Sequence, residues 1–239
     1  MTVLSTYQAQ FVNLIQSLGS PIPLISTAQS TVYINSARVQ IAAEAKCIRN
    51  YATLALVVNQ QQYNFSTIVF APATSGVQVV MNVEMAGFTV PATTGQRIVV
   101  QREWAWFNRY VLQNPVPVAG PPRYWAQFGQ GALGTLWFNL PDFTYVINLD
   151  TVCLPLPLAT DTDPEAIPYQ WTDAVPFYAA WLGMQQEQRQ GDAEMMLQRF
   201  KMLMQRARAA ATPEVTPTVY SQVPDVTMAN QLGIRPGGG

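Results

Sequence analysis

Three glycines, Gly129, Gly131 and Gly134, have the spacing that best fits a known chemical motif in this chain. They match G-x-G-x-x-G, in which backbone amides at a helix N-terminus bind the phosphates of a dinucleotide. That chemistry needs a helix directly after the glycines, whereas residues 135–140 are strand-like and end at Pro141. We therefore predict a hairpin turn here and set the nucleotide interpretation aside.

A second candidate is an acidic cluster with alternate spacing, Asp161, Asp163 and Glu165, which is similar to the start of a calcium-binding loop. Such a loop needs a glycine at its sixth position and a glutamate at its twelfth, and these positions hold Ala166 and Thr172. We predict no metal site. An exposed loop, or an acidic surface that meets a neighbouring subunit's arginine, is the favoured interpretation.

The chain contains no histidine, which excludes Ser-His-Asp, Cys-His and histidine-based metal chemistry. Cys47 and Cys153 lack metal-ligand spacing, and we interpret both as buried thiols. Glu84, Glu103 and Asp142 could pair for glycoside hydrolysis only if the fold brings them together, and no spacing favours this. We expect no catalytic residue and no cofactor, so the chain is predicted not to be an enzyme.

Aromatic residues are numerous between positions 104 and 138 and admit two interpretations. They could form a sugar-stacking surface, or they could belong to the core or to a subunit interface, which is the more common use of aromatics in a charge-poor β region. The residues concerned are Trp104, Trp106, Phe107, Tyr110, Trp125, Trp137 and Phe138.

The composition indicates a subunit of an assembly. Charged residues make up 11% of the chain, against about 25% in soluble domains. Such a surface tends to associate, so we expect neighbouring copies to cover much of it. A net charge of −1 argues against a protein that grips nucleic acid. No apolar run reaches the ~20 residues that span a bilayer, and we expect no membrane contact and synthesis in a cytoplasm.

The periodicity predicts helices at both ends of the chain and strands between them. Helices are predicted over 5–18, 31–49, from about 172 onward, and 192–211. Strands of a mostly antiparallel sheet are predicted over 53–58, 63–70, 77–83, 98–101, 124–128, 135–140 and 145–154, with one or two helical turns at 104–112.

These elements predict an α+β fold. Residues 1–50 and 169–211 would form a four-helix unit, residues 51–168 an inserted antiparallel β lobe, and residues 212–239 an extended C-terminal arm. The arm cannot fold alone, yet it carries apolar anchors that suggest docking on a partner. The anchors are Val219, Tyr220, Val223, Leu232 and Ile234.

Bases gather in the second half of the last helix, as the helix dipole prefers. We hypothesise that they face a DNA channel or a partner subunit, with a solvated helix surface as the equal alternative. They are Arg199, Lys201, Arg206 and Arg208.

Several segments together resemble head-to-tail adaptors, virion structural proteins of short-tailed bacteriophages. The segments are INSAR (34–38), AAEAKCIR (42–49), QYNF (62–65), WAWF (104–107), NPVP (114–117), GPPRYWAQFG (120–129), DPEAIP (163–168), WTDAVPFYAA (171–180) and DAEMMLQRFKMLMQRAR (192–208). The resemblance extends to about residue 212.

This resemblance implies a ring of about twelve copies beneath the portal protein, assembled in the host cytoplasm and built into the virion. The C-terminal arm would pack on the portal, DNA would pass through as cargo, and the ring would dock the tail nozzle or tube protein. A tail tube or nozzle protein of the same particle is one alternative, although it should be larger and richer in β structure. A carbohydrate-binding tail component is the alternative from a different class.

Overall fold

A computed structural model describes residues 4–16, 25–70, 78–89, 96–113 and 118–211. Within these ranges the fold is mixed α+β, which confirms the predicted fold class. The predicted arm, with all five of its anchors, lies outside the described residues.

Two long helices precede the strands in the sequence and two follow them, and shorter helical segments lie between these pairs. They are α1 Leu4–Gln16, α2 Thr27–Ala45, α3 Trp104–Phe107 followed by a π-helical turn Asn108–Leu112, α4 Tyr169–Thr172, α5 Val175–Gln186 and α6 Gln190–Ala211. The long helices contribute to one cluster of buried side chains, which also includes Cys153, Leu158 and Ile167 from the region assigned to the lobe.

Helix α2 differs most from its predicted bounds. It begins earlier because Ser26 and Gln29 form a reciprocal capping box, in which each side chain bonds the other residue's backbone amide. It ends at Ala45 because Lys46 adopts a left-handed conformation with φ of 49°. The predicted continuation to Arg49 is wrong, since Arg49 already belongs to the first strand.

One eight-stranded sheet holds all the named strands. They are β1 Arg49–Ala55, β2 Gln62–Asn64, β3 Val69–Phe70, β4 Gln78–Thr89, β5 Gln96–Gln101, β6 Tyr124–Phe128, β7 Thr135–Phe138 and β8 Val146–Pro155. The order is β2-β7-β6-β5-β4-β8-β1-β3, and every pair is antiparallel except β5–β6. The prediction of a mostly antiparallel sheet is confirmed.

Three strand predictions need correction. The strand predicted over 53–58 begins and ends earlier, at Arg49–Ala55. The stretch 63–70 is not one strand, because a 3-10 turn at Phe65–Thr67 divides it into β2 and β3. Strand β4 runs well beyond position 83, and its pairing with β8 shifts register near Val80 and again near Val83. These irregularities break the alternation of apolar and polar residues, so the pattern ends before the strand does.

The sheet is curled, and the chain path explains why. Strands β2 and β3 lie at opposite edges, yet only residues 65–68 separate them. Such a link spans at most about 18 Å, whereas eight flat strands would extend about 34 Å. The two edges must therefore approach each other.

Inside the curl lies a second cluster of buried side chains. Strands β1, β2 and β4–β8 all contribute to it, through residues such as Leu54, Phe88, Trp125, Leu136 and Ile147. Burial of these apolar side chains is what stabilises the curled arrangement, since each contributes on the order of 1.5–3 kcal/mol.

Candidate functional site

The three glycines form the turn between β6 and β7. Gly129 and Gly131 have φ of 76° and 61°, a conformation that glycine adopts without strain. A 3-10 turn at Gly131–Leu133 leads directly into β7, which pairs with β6 in antiparallel fashion. The hairpin prediction is confirmed, because a strand rather than a helix follows the glycines.

Gly134 serves packing rather than phosphate binding. A Cβ atom at this position would lie 2.5 Å from the Phe65 ring, so only glycine lets the ring close over the hairpin. Phe65 belongs to the short link between the two edge strands. The glycine therefore supports the closure of the curl.

The acidic cluster at 161–165 does not converge on a common point. Asp163 Oδ2 accepts hydrogen bonds from the amides of Ala159 (2.6 Å) and Thr160 (2.7 Å), which lowers the pKa of its carboxyl. Asp161 is exposed and its Oδ1 accepts from the Ser5 amide at 2.7 Å. Over the ranges that the structure describes, no three acidic or cysteine side chains gather at a metal-binding distance.

Glu165, unlike the exposed Asp161, is nearly buried and contacts helix α2. It forms an ion pair with Arg38, whose Nη2 lies 2.8 Å from Glu165 Oε1, and the two side chains are 6% and 1% exposed. Arg38 Nη1 also donates to the Leu156 carbonyl at 2.8 Å and to Asn35 Oδ1 at 3.1 Å. The pair fastens the segment 156–167 to helix α2.

Sequence analysis missed this ion pair, although a signal was present. Arg38 lies on the apolar stripe of α2, between Ile34 and Ile41, where a charge requires a buried partner. The partner is 127 residues away, so spacing could not identify it. Burial and the nearby Glu165 carboxylate also raise the pKa of the Tyr7 hydroxyl.

The carboxylates considered for glycoside hydrolysis have separate neighbours. Glu84 accepts hydrogen bonds from Lys46 Nζ (2.8 Å) and Asn82 Nδ2 (3.0 Å), and the bond from Lys46 lowers the pKa of its carboxyl. Asp142 accepts from the Tyr145 hydroxyl at 2.8 Å. Glu103 directly precedes α3. Glu84 and Asp142 therefore have different hydrogen-bond partners among the described residues.

The aromatic residues contact one another. Trp125, Phe107 and Phe138 are buried. The Trp104 ring lies 4.9 Å from Phe128 and 5.3 Å from Trp137, measured between ring centroids. A sugar-stacking surface needs open ring faces, so these contacts favour the core or interface interpretation.

A surface that sequence analysis did not single out lies where β5, α3 and β6 meet. The Arg102 guanidinium lies 4.8 Å from the ring centroid of Trp106 and 5.5 Å from that of Tyr124, and Arg109 lies 5.5 Å from that of Tyr110. Arg123 borders the same grooves as Tyr110 and Tyr124. We call this set the arginine–aromatic surface: Arg102, Arg109, Arg123, Trp106, Tyr110 and Tyr124.

Helix α6 exposes all four of its predicted functional bases but does not bring them together. At about 100° per residue, Arg199 and Arg206 lie on one flank of the buried stripe, and Lys201 and Arg208 lie on the other. Arg208 Nη2 also pairs with Glu44 Oε1 at 2.9 Å. The stripe consists of Ala193, Phe200, Met204 and Ala207. The four bases therefore form two pairs that face different directions.

The two cysteines are free thiols. Cys153 is buried as predicted, whereas Cys47 is only partly buried. Burial raises the pKa of both, in the case of Cys47 to about 11. Neither thiol is activated for nucleophilic chemistry.

None of the described helices is long and apolar enough to cross a bilayer. Comparison with known protein families finds no family model that matches the chain. Comparison with curated proteins finds no match either.

Proposed function

We propose that this chain is a head-to-tail adaptor of a short-tailed bacteriophage. About twelve copies form a ring below the portal protein, continue the DNA channel and dock the tail. Each copy consists of a four-helix unit, an inserted β lobe and a C-terminal arm that binds the portal. The proposal rests on the segment resemblance described above and on one property of the surface.

That property is the abundance of exposed apolar side chains on a chain with few charges. Among the described residues nineteen large apolar side chains are exposed, and fourteen of them lie between positions 51 and 146. Leu133 and Val118 are 88% and 78% exposed. Scattered apolar side chains are ordinary on protein surfaces, but together with 11% charge they favour a subunit whose lobe is covered by its neighbours.

The helices supply the channel and portal contacts in this proposal. Arg199 and Arg206 lie on a different flank from Lys201 and Arg208, so one pair faces the channel or portal and the other faces an adjoining copy. DNA passes as cargo and is not gripped, which agrees with the net charge of −1. Each arm binds the portal with modest affinity, and the simultaneous binding of many arms around the ring raises the overall affinity.

Electron microscopy of particle tails labelled at the C-terminus tests the assignment directly. We expect the label at the portal, in a ring. A label far from the portal would contradict the proposal.

A matched pair of variants tests the arm. Replacement of all five anchors by serine should abolish joining of the chain to tail-less heads, while the circular dichroism of the chain stays unchanged. The control replaces an equal number of polar arm residues by serine: Thr218, Gln222, Thr227, Asn230 and Gln231. If both variants join heads equally well, the arm is not the portal-binding element.

Charge reversal by pairs tests the bases of α6. We expect Arg199→Glu with Arg206→Glu, or Lys201→Glu with Arg208→Glu, to reduce DNA retention or head-to-tail joining. Only one pair should affect DNA retention, because the pairs face different directions. If both double reversals leave both properties unchanged, the bases have neither role.

A further inference from the structure

We propose that the arginine–aromatic surface of one copy binds the acidic loop 159–163 of a neighbouring copy, through Asp161 and Asp163. This inference depends on the proposed ring and identifies the side chains that join its copies. The partner surface belongs to another copy of the same chain.

Ion pairs are unevenly distributed among the bases of the described residues. Arg38, Lys46, Arg49, Arg189 and Arg208 have carboxylate partners within the same copy. The bases Arg199, Lys201 and Arg206 form no described ion pair but lie apart on two flanks of α6. Arg102, Arg109 and Arg123 form no ion pair with any described residue, and neither does nearby Arg97, although Asp142 borders the same groove as Arg123. A charge-poor chain that leaves these arginines together and unpaired is typical of a surface that meets an acidic partner.

Aromatic rings hold two of these guanidinium groups. Arg102 lies over the rings of Trp106 and Tyr124, and Arg109 lies over the ring of Tyr110. A cation–π contact engages a guanidinium without a hydrogen bond to an acceptor oxygen, so its N–H groups can still form a bidentate bond to a carboxylate. The aromatic rings also restrict the arginine side chains, which lowers the entropy lost on binding.

Exposed apolar side chains beside the arginines favour a protein partner over a nucleic acid. The groove that contains Arg97, Arg123 and Tyr124 is also lined by Ile98 and Val100, which are 71% and 46% exposed. A phosphate backbone offers no apolar group to cover such side chains, whereas a protein surface does. Trp, Tyr and Arg are also the residues that dominate binding energy at protein interfaces.

The acidic loop offers carboxylates that form no ion pair within the copy. Asp161 and Asp163 accept hydrogen bonds from backbone amides, and no cation of the described residues forms an ion pair with either, although the charge of Arg38 also acts on Asp163. The capping bonds to Ala159 and Thr160 fix the loop in shape before it meets a partner. The loop therefore presents two negative charges on a preorganised support, opposite in sign to the arginine–aromatic surface.

The two surfaces lie on different parts of the chain. The loop follows β8 and contacts α1, whereas Arg102 directly follows β5, Arg109 lies in the π-helical turn after α3 and Arg123 directly precedes β6. A contact between them is head-to-tail between copies, and such contacts repeat to form a closed ring when the rotation between copies allows it. The arrangement agrees with the ring in the proposed function.

A charge-swap experiment tests the contact. The variants are Arg102→Glu with Arg109→Glu, Asp161→Arg, and the combination of all three in one chain. Self-association is measured by sedimentation velocity on the concentrated chain, and on chain bound to tail-less heads if the chain alone is monomeric. We expect each partial variant to associate at least about tenfold more weakly, and the combined variant to recover.

Two control variants distinguish loss of the proposed contact from a general effect of changed charge. Lys46→Glu and Asp173→Arg change exposed charges elsewhere and should associate like the wild type. If Arg102→Glu prevents folding, Arg109→Glu alone replaces the double variant, because Arg109 is exposed.

If wild type and all variants associate equally, the inference is wrong while the proposed ring stands. If the wild type stays monomeric alone and on heads, both the ring and the inference fail. A fluorescent single-stranded oligonucleotide should not bind the chain, and binding that Arg109→Glu abolishes would assign this surface to nucleic acid instead.

Discussion

Arginine side chains have different partners in the helical core and at the junction of β5, α3 and β6. In the helical core Arg38 is 1% exposed and its guanidinium is shared among Glu165, Asn35 and the Leu156 carbonyl. At the junction Arg102 and Arg109 contact aromatic rings and no described carboxylate. The first region uses its charges to hold its own fold, whereas we propose that the second keeps them for a partner.

The largest effect should follow removal of the buried pair. Arg38→Met leaves Glu165 buried without a cation, so we expect the free energy of unfolding to fall by ~3–5 kcal/mol. Urea unfolding measures this. The double variant Arg38→Met with Glu165→Leu should recover most of the loss, because it leaves no unpaired charge.

An exposed pair provides the matched control. The Lys46 and Glu84 side chains are 54% and 36% exposed, so Lys46→Met should cost no more than about 1 kcal/mol. Equal losses in Arg38→Met and Lys46→Met would contradict the assignment of Arg38 to a buried, fold-holding role.

A medium effect is expected at the hairpin that supports the junction. Gly134→Ala places a Cβ atom 2.5 Å from the Phe65 ring, and overpacking of this kind typically costs ~1–3 kcal/mol. Thermal unfolding measures the loss. Gly120→Ala serves as the control, since nothing lies within 4 Å of the new Cβ there. An unchanged melting temperature in Gly134→Ala would show that the Phe65 ring can move aside without loss of stability.

A small effect on stability is expected at the junction itself. Arg102→Gln removes two cation–π contacts, with Trp106 and Tyr124, and each contributes only about 0.5–1 kcal/mol at an exposed site. Urea unfolding should show a loss of no more than about 2 kcal/mol, although we expect the same change to weaken the proposed association between copies. A stability loss as large as that of Arg38→Met would contradict the claim that arginine holds the fold in the helical core but not at the junction.

The smallest effect concerns pH. Backbone hydrogen bonds from Thr160 and Ala159 lower the pKa of Asp163 below 3.8, so its ionised form stabilises the folded state. This contribution is present above the unfolded-state pKa and is lost as the pH falls through the lower folded-state value. Asp163→Asn keeps an acceptor oxygen without the titration.

We therefore expect the stability of Asp163→Asn to depend less on pH in the acidic range than that of the wild type. Urea unfolding at a series of acidic pH values measures the slope. Identical slopes for the two proteins would mean that the loop bonds do not favour the ionised carboxyl.

Local patterns predicted much of the fold. The strand at 124–128 has the predicted bounds, and the last helix reaches Ala211, the residue to which it was predicted to extend. The hairpin at Gly129 could also be predicted from the sequence, because positive φ and strand-like flanks are local properties.

Contacts between distant residues could not be predicted. The placement of β2 and β3 at opposite edges depends on pairing with β7 and β1, which no spacing encodes. The partner of Arg38 is equally remote. The arginine–aromatic surface is assembled from the ends of three elements, and each of its arginines looks unremarkable within its own segment.

The short link between the edge strands also limits how copies can join. Both edges are brief, with three residues in β2 and two in β3, and the curl turns them toward each other. Among the described strands, β2 and β3 therefore offer a neighbouring chain only short edges onto which it could add a strand. In the proposed ring, contacts made by arginine and aspartate side chains would tighten or loosen with ionic strength, and a change of salt during assembly would act as a reversible control.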